Sequence, residues 1–570
     1  MFWRDLASAA VLWRAHGHFR RFLEGARHLR RAQERVLLAK VRRNAASDFG
    51  RQHRFSRIDS VAEFRRHVPV CRYEYLEPYV ERVLRGETTA LFGPEEEVVM
   101  FALTSGTTDT PKRIPVTRSF LEEYQAGWLI WGWGAYRGHR QAFAGDILNI
   151  VSRPDEERTG LGVPCGAVSG LISQMQPWVV RGFYALPSLV NCVESAESKY
   201  YLILRLTVPG SVTLCCTPNP STLVRLSEIG NKHASELVED IGRGGVSERW
   251  AIPDHVREQL RKGLKPQRRA ARRLARLLER NGRLLPRDYW PAMDLLAIWK
   301  GGTVSLYLPQ LREAFGAVAT RDIGLIASEG RMSIPLSDDG SAGPLDLLHQ
   351  FFEFIPEEEV DSEQPHTLLP HEVEVGGRYY VVLTTSGGCY RYNIMDHVEV
   401  VDRYYEAPVI EFLNKGEHIS SLTGEKLTEN QVVQALRLIN ERLGLPPTQE
   451  VTMTPVWGDP PHYTLLLPEG AIRVECWSAL LGGLERELCA RNIEYAQKRK
   501  SGRLGPPTLR VVSATQFASV SNERQGHLRA LEQHKHVFLV PDVEYHERFA
   551  ALHELTWVAG SHRAQEGEKP

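Results

Sequence analysis

Cysteine is scarce and shows no motif. Eight residues are scattered over 570, with no C-x-x-C and only Cys215 and Cys216 adjacent. That excludes a disulfide scaffold and the usual structural zinc patterns. It points to a reducing, cytoplasmic compartment with most thiols buried as small apolar groups. Net charge is lacking too: 70 Lys and Arg balance 70 Asp and Glu, so no chain-wide field favours nucleic acid or an anionic membrane. No charge-free apolar run reaches membrane-spanning length. The first turn carries Arg4 and Asp5 with no long apolar stretch behind them, so no secretory leader is expected. Internal repeats are absent.

What is present is enough apolar material, 42% of a long chain, for more than one core. Residues 1 to about 55 space Phe22, Ala26, Leu29, Ala32 and Val36 at helical intervals between many Arg, giving one or two basic amphipathic helices. Ser60 caps a helix start, and Tyr73 to Val80 reads as another helix. Ser119 to Gly134 predicts a helix crowded with Trp128, Trp131 and Trp133, which packs a core or walls an apolar pocket. Gly160 to Gly170 is glycine-dense and is expected to be loop. Leu202 to Val208, Ser211 to Cys216, Trp299 to Tyr307 and Tyr379 to Thr385 are expected strands, and Pro266 is expected to start a basic helix through Leu278. Strands alternating with helices argue an α/β core. After Phe412 the texture changes. Asn414 to Glu417 is polar and hinge-like. A smaller α+β region follows, with strands near 451–454, 463–467 and 509–514 and one helix from Leu481 to Lys498.

One stretch carries chemistry on its face. The apolar run Val98 to Leu103 predicts a strand that empties into Thr104-Ser105-Gly106-Thr107-Thr108-Asp109-Thr110-Pro111-Lys112. Glycine lets backbone amides approach a ligand, hydroxyls and amides donate to phosphate oxygens, and Lys112 adds a mobile charge. The same residues also make an ordinary Ser/Thr hairpin turn. Segments 328–330 and 386–396 likewise follow strands. Ligands in open α/β sheets bind at carboxyl ends, so the three are expected to converge there.

Taken in order, these motifs resemble the adenylate-forming superfamily of acyl-CoA synthetases and luciferases. They are most similar to the acyl-acid amido synthetases first known as plant auxin-responsive proteins, the Gretchen Hagen family, in its bacterial branch. The resemblance runs through Phe64 to Val80, Thr104 to Lys112, Ala327-Ser328-Glu329-Gly330, Tyr390-Arg391-Tyr392 to Asp396, Ser421 to Leu427, Lys498 to Leu504 and Gln533 to His536. It implies an α/β fold with a large N-terminal adenylating domain, residues 1–413, of mixed sheets and flanking helices. A smaller mobile α+β cap, residues 414–570, would follow. The implied reaction uses ATP and Mg²⁺. A small carboxylic acid becomes an acyl-adenylate, and an amine, commonly of an amino acid, then displaces AMP.

By the same resemblance, Thr104, Ser105, Gly106, Thr107 and Thr108 would wrap the phosphates and Lys112 would assist. Ala327 and Ser328 would edge the adenine, Arg391 would contact the nucleotide, and Asp396 would hold the ribose. Glu329 would hold Mg²⁺, Lys415 would mark the hinge, and Lys535 would reach the α-phosphate. Trp128, Trp131, Ser169 and Gly170 would line the acid pocket. The implied partners are small molecules, with a monomer and neither nucleic acid nor membrane. Three departures from the family pattern stand out: Asp109 where Gly is preferred, Met395 where Gly often precedes the ribose-binding Asp, and His534 where Tyr is common. Two other readings share these residues: an acyl-CoA synthetase with a thiol acceptor, and a nucleotide- or acid-binding protein without turnover.

Overall fold

The computed structural model describes residues 2–104, 112–151, 153–175, 178–360, 362–416, 419–423, 425, 427–445, 450–458, 460–500, 504–524, 536–557 and 565–566. The chain divides into two compact units. The first takes the chain up to Gly301 together with Leu311–Phe412; the second takes Gly302–Gln310 and the described residues from Leu413 on.

In the first unit, β1 (Val98–Thr104) and β2 (Lys112–Thr117) form an antiparallel hairpin. β3 (Asp146–Asn149) begins a second sheet, while β4 (Glu157–Arg158) and β5 (Pro164–Gly166) return to the first, giving the order β2-β1-β5-β4. β6 (Val212–Cys216), β7 (Leu295–Ile298) and β8 (Ala319–Asp322) extend the second sheet in the all-parallel order β3-β6-β7-β8. β7 is buried at every residue, as a parallel strand covered on both faces must be. β9 (Ile326–Ala327) and β10 (Gly330–Arg331) make a two-residue-turn hairpin. β11 (Gly343–Pro344), β12 (Phe351–Pro356), β13 (Arg378–Thr384), β14 (Tyr392–Tyr404) and β15 (Ala407–Lys415) form a third sheet, order β11-β15-β14-β13-β12.

Four expectations need correction here. Leu202 to Val208 is not a strand but the end of helix Ala196–Thr207, capped by Ser195. Its Leu202, Ile203 and Leu204 are all fully buried, so no amphipathic period survives to mark the helix. Trp299 to Tyr307 is not a strand: β7 ends at Ile298, and Gly302–Tyr307 is a 3₁₀ helix. Gly160 to Gly170 is not plain loop. It holds the turn of the β4–β5 hairpin, then β5, then the start of helix Val168–Met175. The basic helix spans Arg268–Asn281, with Gln267 as its N-cap and Pro266 outside it.

The second unit has its own core, centred on Leu436, Leu465, Leu481, Leu484 and Leu509. β16 (Ile419–Ser420) pairs with β17 (Leu427–Thr428). β18 (Thr452–Val456), β19 (His462–Pro468), β20 (Thr508–Val512), β21 (Ala551–Thr556) and β22 (Gln565–Glu566) form its sheet in sequence order. Helix Glu429–Leu443 opens on a capping box: the Thr428 hydroxyl accepts from Gln431 N at 3.3 Å, and the Gln431 side chain accepts from Thr428 N at 3.1 Å. The helix expected over Leu481 to Lys498 is two helices, Trp477–Arg491 and Ile493–Lys500. Asn492 separates them and caps the second by accepting from Tyr495 N at 2.9 Å. Within the hinge-like stretch, β15 runs through Asn414, which is buried. Among the described residues, no helix is long and apolar enough to cross a membrane.

Candidate active site

Three segments meet at the end of β1. Ala327 pairs with Gly330 across the β9–β10 hairpin, so Ser328 and Glu329 form its turn. The Ser328 hydroxyl donates to the Leu103 carbonyl at 3.4 Å, seating that turn beside the last residues of β1. Glu329 is 5% exposed. The Cys389 thiol is pushed well up by its burial and then by the Glu329 charge, so the two lie within electrostatic reach of each other.

The turn after β13 is Thr385 to Cys389. Thr385 N donates to the Cys389 carbonyl at 2.9 Å, and Gly388 takes φ 86°, a left-handed conformation that glycine adopts without strain. A Cβ on Gly387 would stand 2.8 Å from the Pro115 carbonyl, so the turn lies directly on β2. Thr117 locks it there. Its hydroxyl caps helix Arg118–Gly138 by accepting from Phe120 N at 3.1 Å, and donates to the Ser386 carbonyl at 3.0 Å. Beneath sits a buried ion pair. Lys40 Nζ reaches the two Glu123 oxygens at 2.8 and 2.9 Å and the Ser386 hydroxyl at 2.7 Å. Burial lowers the Lys40 pKa, and the Glu123 charge opposes the shift. Sequence inspection overlooked this pair. The signal was there: Lys40 lies four residues after Val36 and eight after Ala32, on the apolar side of its helix.

Asp396 is built differently. Tyr380 pairs with His397 and Val382 with Asn393, so residues 394–396 bulge opposite Val381. Bulges re-aim side chains, and this one carries a carboxylate that is 4% exposed. Met395 holds φ 62° inside it. The family's preference for glycine before this Asp now has a backbone cause. Left-handed strain at a non-glycine residue costs roughly 1–2 kcal/mol. The Met395 side chain, however, packs with Ile355, Tyr380 and Val382. Deleting a buried Met costs about 2–5 kcal/mol, which outweighs the strain relieved. Met395→Gly is therefore expected to destabilise the protein by about 1–3 kcal/mol in chemical denaturation; a gain in stability would show that strain dominates.

Arg391 is not free to bind a nucleotide, contrary to the sequence expectation. Its Nε donates to Glu353 at 2.9 Å and its Nη2 to Glu353 and to the Thr367 hydroxyl, both at 2.9 Å. Nη1 donates to the Val68 and Arg65 carbonyls at 2.8 and 3.2 Å. All five guanidinium protons are thus used within the protein. Trp131 is likewise core and not pocket wall: it is 4% exposed and its indole N–H donates to the Asp322 carbonyl at 2.8 Å. Trp128 is only half-buried and lies 4.4 Å from the Arg331 guanidinium, which ties the aromatic helix to the strand following Glu329. Lys112 leans over the Tyr73 ring at 5.7 Å. Half-buried Ser169 and buried Gly170 open the helix after β5, whose Cys165 and Gly166 pair with Phe101 and Ala102 of β1. The Thr104 side chain, Ser105, Gly106, Thr107, Thr108, Asp109, the Lys415 side chain, His534 and Lys535 lie outside the described residues.

The fold is that of an acyl acid amido synthetase. A solved structure named GH3.15 acyl acid amido synthetase superposes with a TM-score of 0.81 at 20% identity, covering 95% of this chain and 97% of that one. The chain belongs to the GH3 family: models of the GH3 N-terminal, central and C-terminal domains match residues 18–320, 344–415 and 430–544. Among curated relatives, indole-3-acetic acid-amido synthetase GH3.10 of Arabidopsis thaliana is 24% identical over 82% of this chain and 84% of its own. The 4-substituted benzoates-glutamate ligase GH3.12 of the same plant is 22% identical over 86% and 89%. A probable indole-3-acetic acid-amido synthetase, GH3.11 of Oryza sativa subsp. japonica, is 23% identical over 88% and 90%.

Proposed function

We propose that this protein is an ATP-dependent, AMP-forming ligase that joins a small carboxylic acid to an amino acid through an acyl-adenylate. The observation that carries the reading is the gathering of the Ser328-Glu329 turn and the Thr385–Cys389 turn on the β1–β2 hairpin in a chain matched by all three family domains. Of the three named plant relatives, two are named for indole-3-acetic acid and one for 4-substituted benzoates, and all of these are aromatic acids. Trp128, held on Arg331, gives this chain an aromatic surface for an acid of that kind.

The donor set suits magnesium. Among the described residues, no three His, Cys, Asp or Glu cluster to make an all-protein cage. Mg²⁺ needs none, since it binds through one or two carboxylates with waters and substrate phosphates completing the shell. Glu329, a buried carboxylate at the tip of a turn, is the ligand assigned here. Bound there, Mg²⁺ supplies positive charge to the phosphate oxygens. The rest falls to the chain itself. The Thr104–Thr108 segment donates to the phosphates, and the Ala327-Ser328 backbone edges the base. Asp396 accepts from the ribose hydroxyls. Lys535 is assigned the charge at the α-phosphate, and residues 414–570 are assigned the movement that admits the amine.

The test is ATP–pyrophosphate exchange across a panel of acids, followed by mass spectrometry of products with an amino-acid mixture. Exchange with an aromatic acid and an amide product are expected. Thioester formation with coenzyme A and no amide would contradict the ligase assignment.

A further inference from the structure

The β1–β2–β5–β4 sheet carries a second feature that the adenylation chemistry leaves unused. A cleft of about 270 Å³ opens between the end of helix Tyr73–Leu84 and the β4–β5 hairpin, and Arg85, Arg113, Glu157, Arg158, Thr159 and Gly160 line it. Its lining holds three arginines and one carboxylate residue, in a chain whose overall charge is zero.

The partners of these groups are incomplete in a specific way. Arg113 donates through Nε and Nη2 at 3.2 and 2.9 Å, both to the same oxygen, Glu157 Oε1. The other carboxylate oxygen of Glu157 is left for a donor. Arg85 is exposed, and among the described residues no carboxylate pairs with it. Arg158 donates one bond to the Gly162 carbonyl at 2.9 Å and stands 3.8 Å from Asp155, which leaves most of its fork open. The Thr159–Val163 turn presents Gly160 with no atom within 4 Å of where a Cβ would stand, so the rim there is open.

The position is equally specific. Arg113 lies directly across from Leu103, the residue whose carbonyl accepts from Ser328. Glu157 pairs with Cys165, which pairs with Phe101. The cleft is therefore laid on the same strands that seat the Ser328-Glu329 turn at Leu103, at cross-strand spacings of about 5 Å.

We propose that this cleft seats the zwitterionic head of the amino-acid substrate, its carboxylate against Arg85 and Arg158 and its ammonium against Glu157. The inference rests on the ligase reading above. Arginine forks match carboxylates bidentately, and a lone carboxylate among them gives a cation its place. A free phosphate oxyanion such as pyrophosphate shares the first half of that chemistry but has no use for Glu157.

The test is the Arg85→Ala/Arg158→Ala double variant in the full-length protein. Arg85 is exposed and the Arg158 side chain is 59% exposed, so folding is not at stake. The best amino acid of the panel should show a KM raised about tenfold or more, the effect of losing a charge-assisted pair, with kcat held within about twofold. Pyrophosphate exchange with acid alone, including its KM for pyrophosphate, should be unchanged. The matching amine without a carboxylate should be a poor acceptor for the wild type, and no poorer for the variant. An unchanged amino-acid KM overturns the proposal. A raised pyrophosphate KM with an unchanged amino-acid KM assigns the cleft to phosphate and overturns it too. Absence of exchange in the wild type is a different failure, that of the ligase reading itself, and the site falls with it.

Discussion

Glu329→Gln is expected to lower ATP–pyrophosphate exchange by on the order of 10²–10³, while the melting transition stays close to that of the wild type. The substitution keeps size and hydrogen-bonding capacity but removes the charge. Glu329 occupies a two-residue turn held by the Ala327–Gly330 pairing and by Ser328 on the Leu103 carbonyl, and neither contact uses its carboxylate. The variant should regain part of its activity as Mg²⁺ concentration rises, because weakened metal affinity is offset by mass action. Wild-type exchange in Glu329→Gln would remove this residue from the chemistry and leave it a structural carboxylate.

Glu353→Gln is expected to cost about 3–5 kcal/mol of stability, the usual consequence of leaving a buried charge uncompensated. Glu353 is 1% exposed and takes bonds from Arg391 Nε and Nη2, Arg65 Nε and the Thr367 hydroxyl. Removing its charge strands the Arg391 guanidinium inside the protein. Burial pushes the Glu353 pKa up, but the Arg391 charge and hydrogen bonds, with Arg65 and Thr367, more than reverse it, and the net shift is downward. A carboxylate with a depressed folded-state pKa contributes stability that is complete above its unfolded value of 4.5 and is lost as pH falls through the folded value. The gap between wild type and variant in urea unfolding should therefore be full at pH 7 and shrink on acidification below about pH 4.5. A gap of the same size at every pH would mean that packing, not charge, carries the effect. Because Arg391 N also bonds to the Thr384 hydroxyl at 3.0 Å, at the start of the Thr385–Cys389 turn, loosening this pair should reduce exchange as well as stability.

How much of this was legible beforehand depended on whether a residue's role is local or tertiary. The β1 strand, the helix from Ser119, the Ser60 cap and the β13 strand are all set by nearby residues, and they stand where the pattern put them. Helix Ala196–Thr207 was misread because burial on every side erased its period. Arg391 was misassigned for a related reason. Its motif position fits the family, but its five donors are taken by Glu353, Thr367, Val68 and Arg65, residues 24 to 326 positions away that no local window contains. The same holds for Trp131, whose partner is the Asp322 carbonyl at the end of β8. Met395 shows the reverse. The substitution was visible in sequence, but its meaning needed the φ of 62° and the apolar cluster around its side chain. The cleft of Arg85, Arg113, Glu157 and Arg158 was invisible because three separate elements supply its charges.

The central claim is that one chain activates an acid and hands it to an amino acid. The most direct measurement follows AMP release from ATP in the presence of an aromatic acid, with and without an amino-acid mixture, with products weighed by mass spectrometry. The account predicts pyrophosphate exchange with the acid alone, sustained AMP release only when the amino acids are added, and a product of mass acid plus amino acid less water. ATP binding without exchange across the whole acid panel would contradict it.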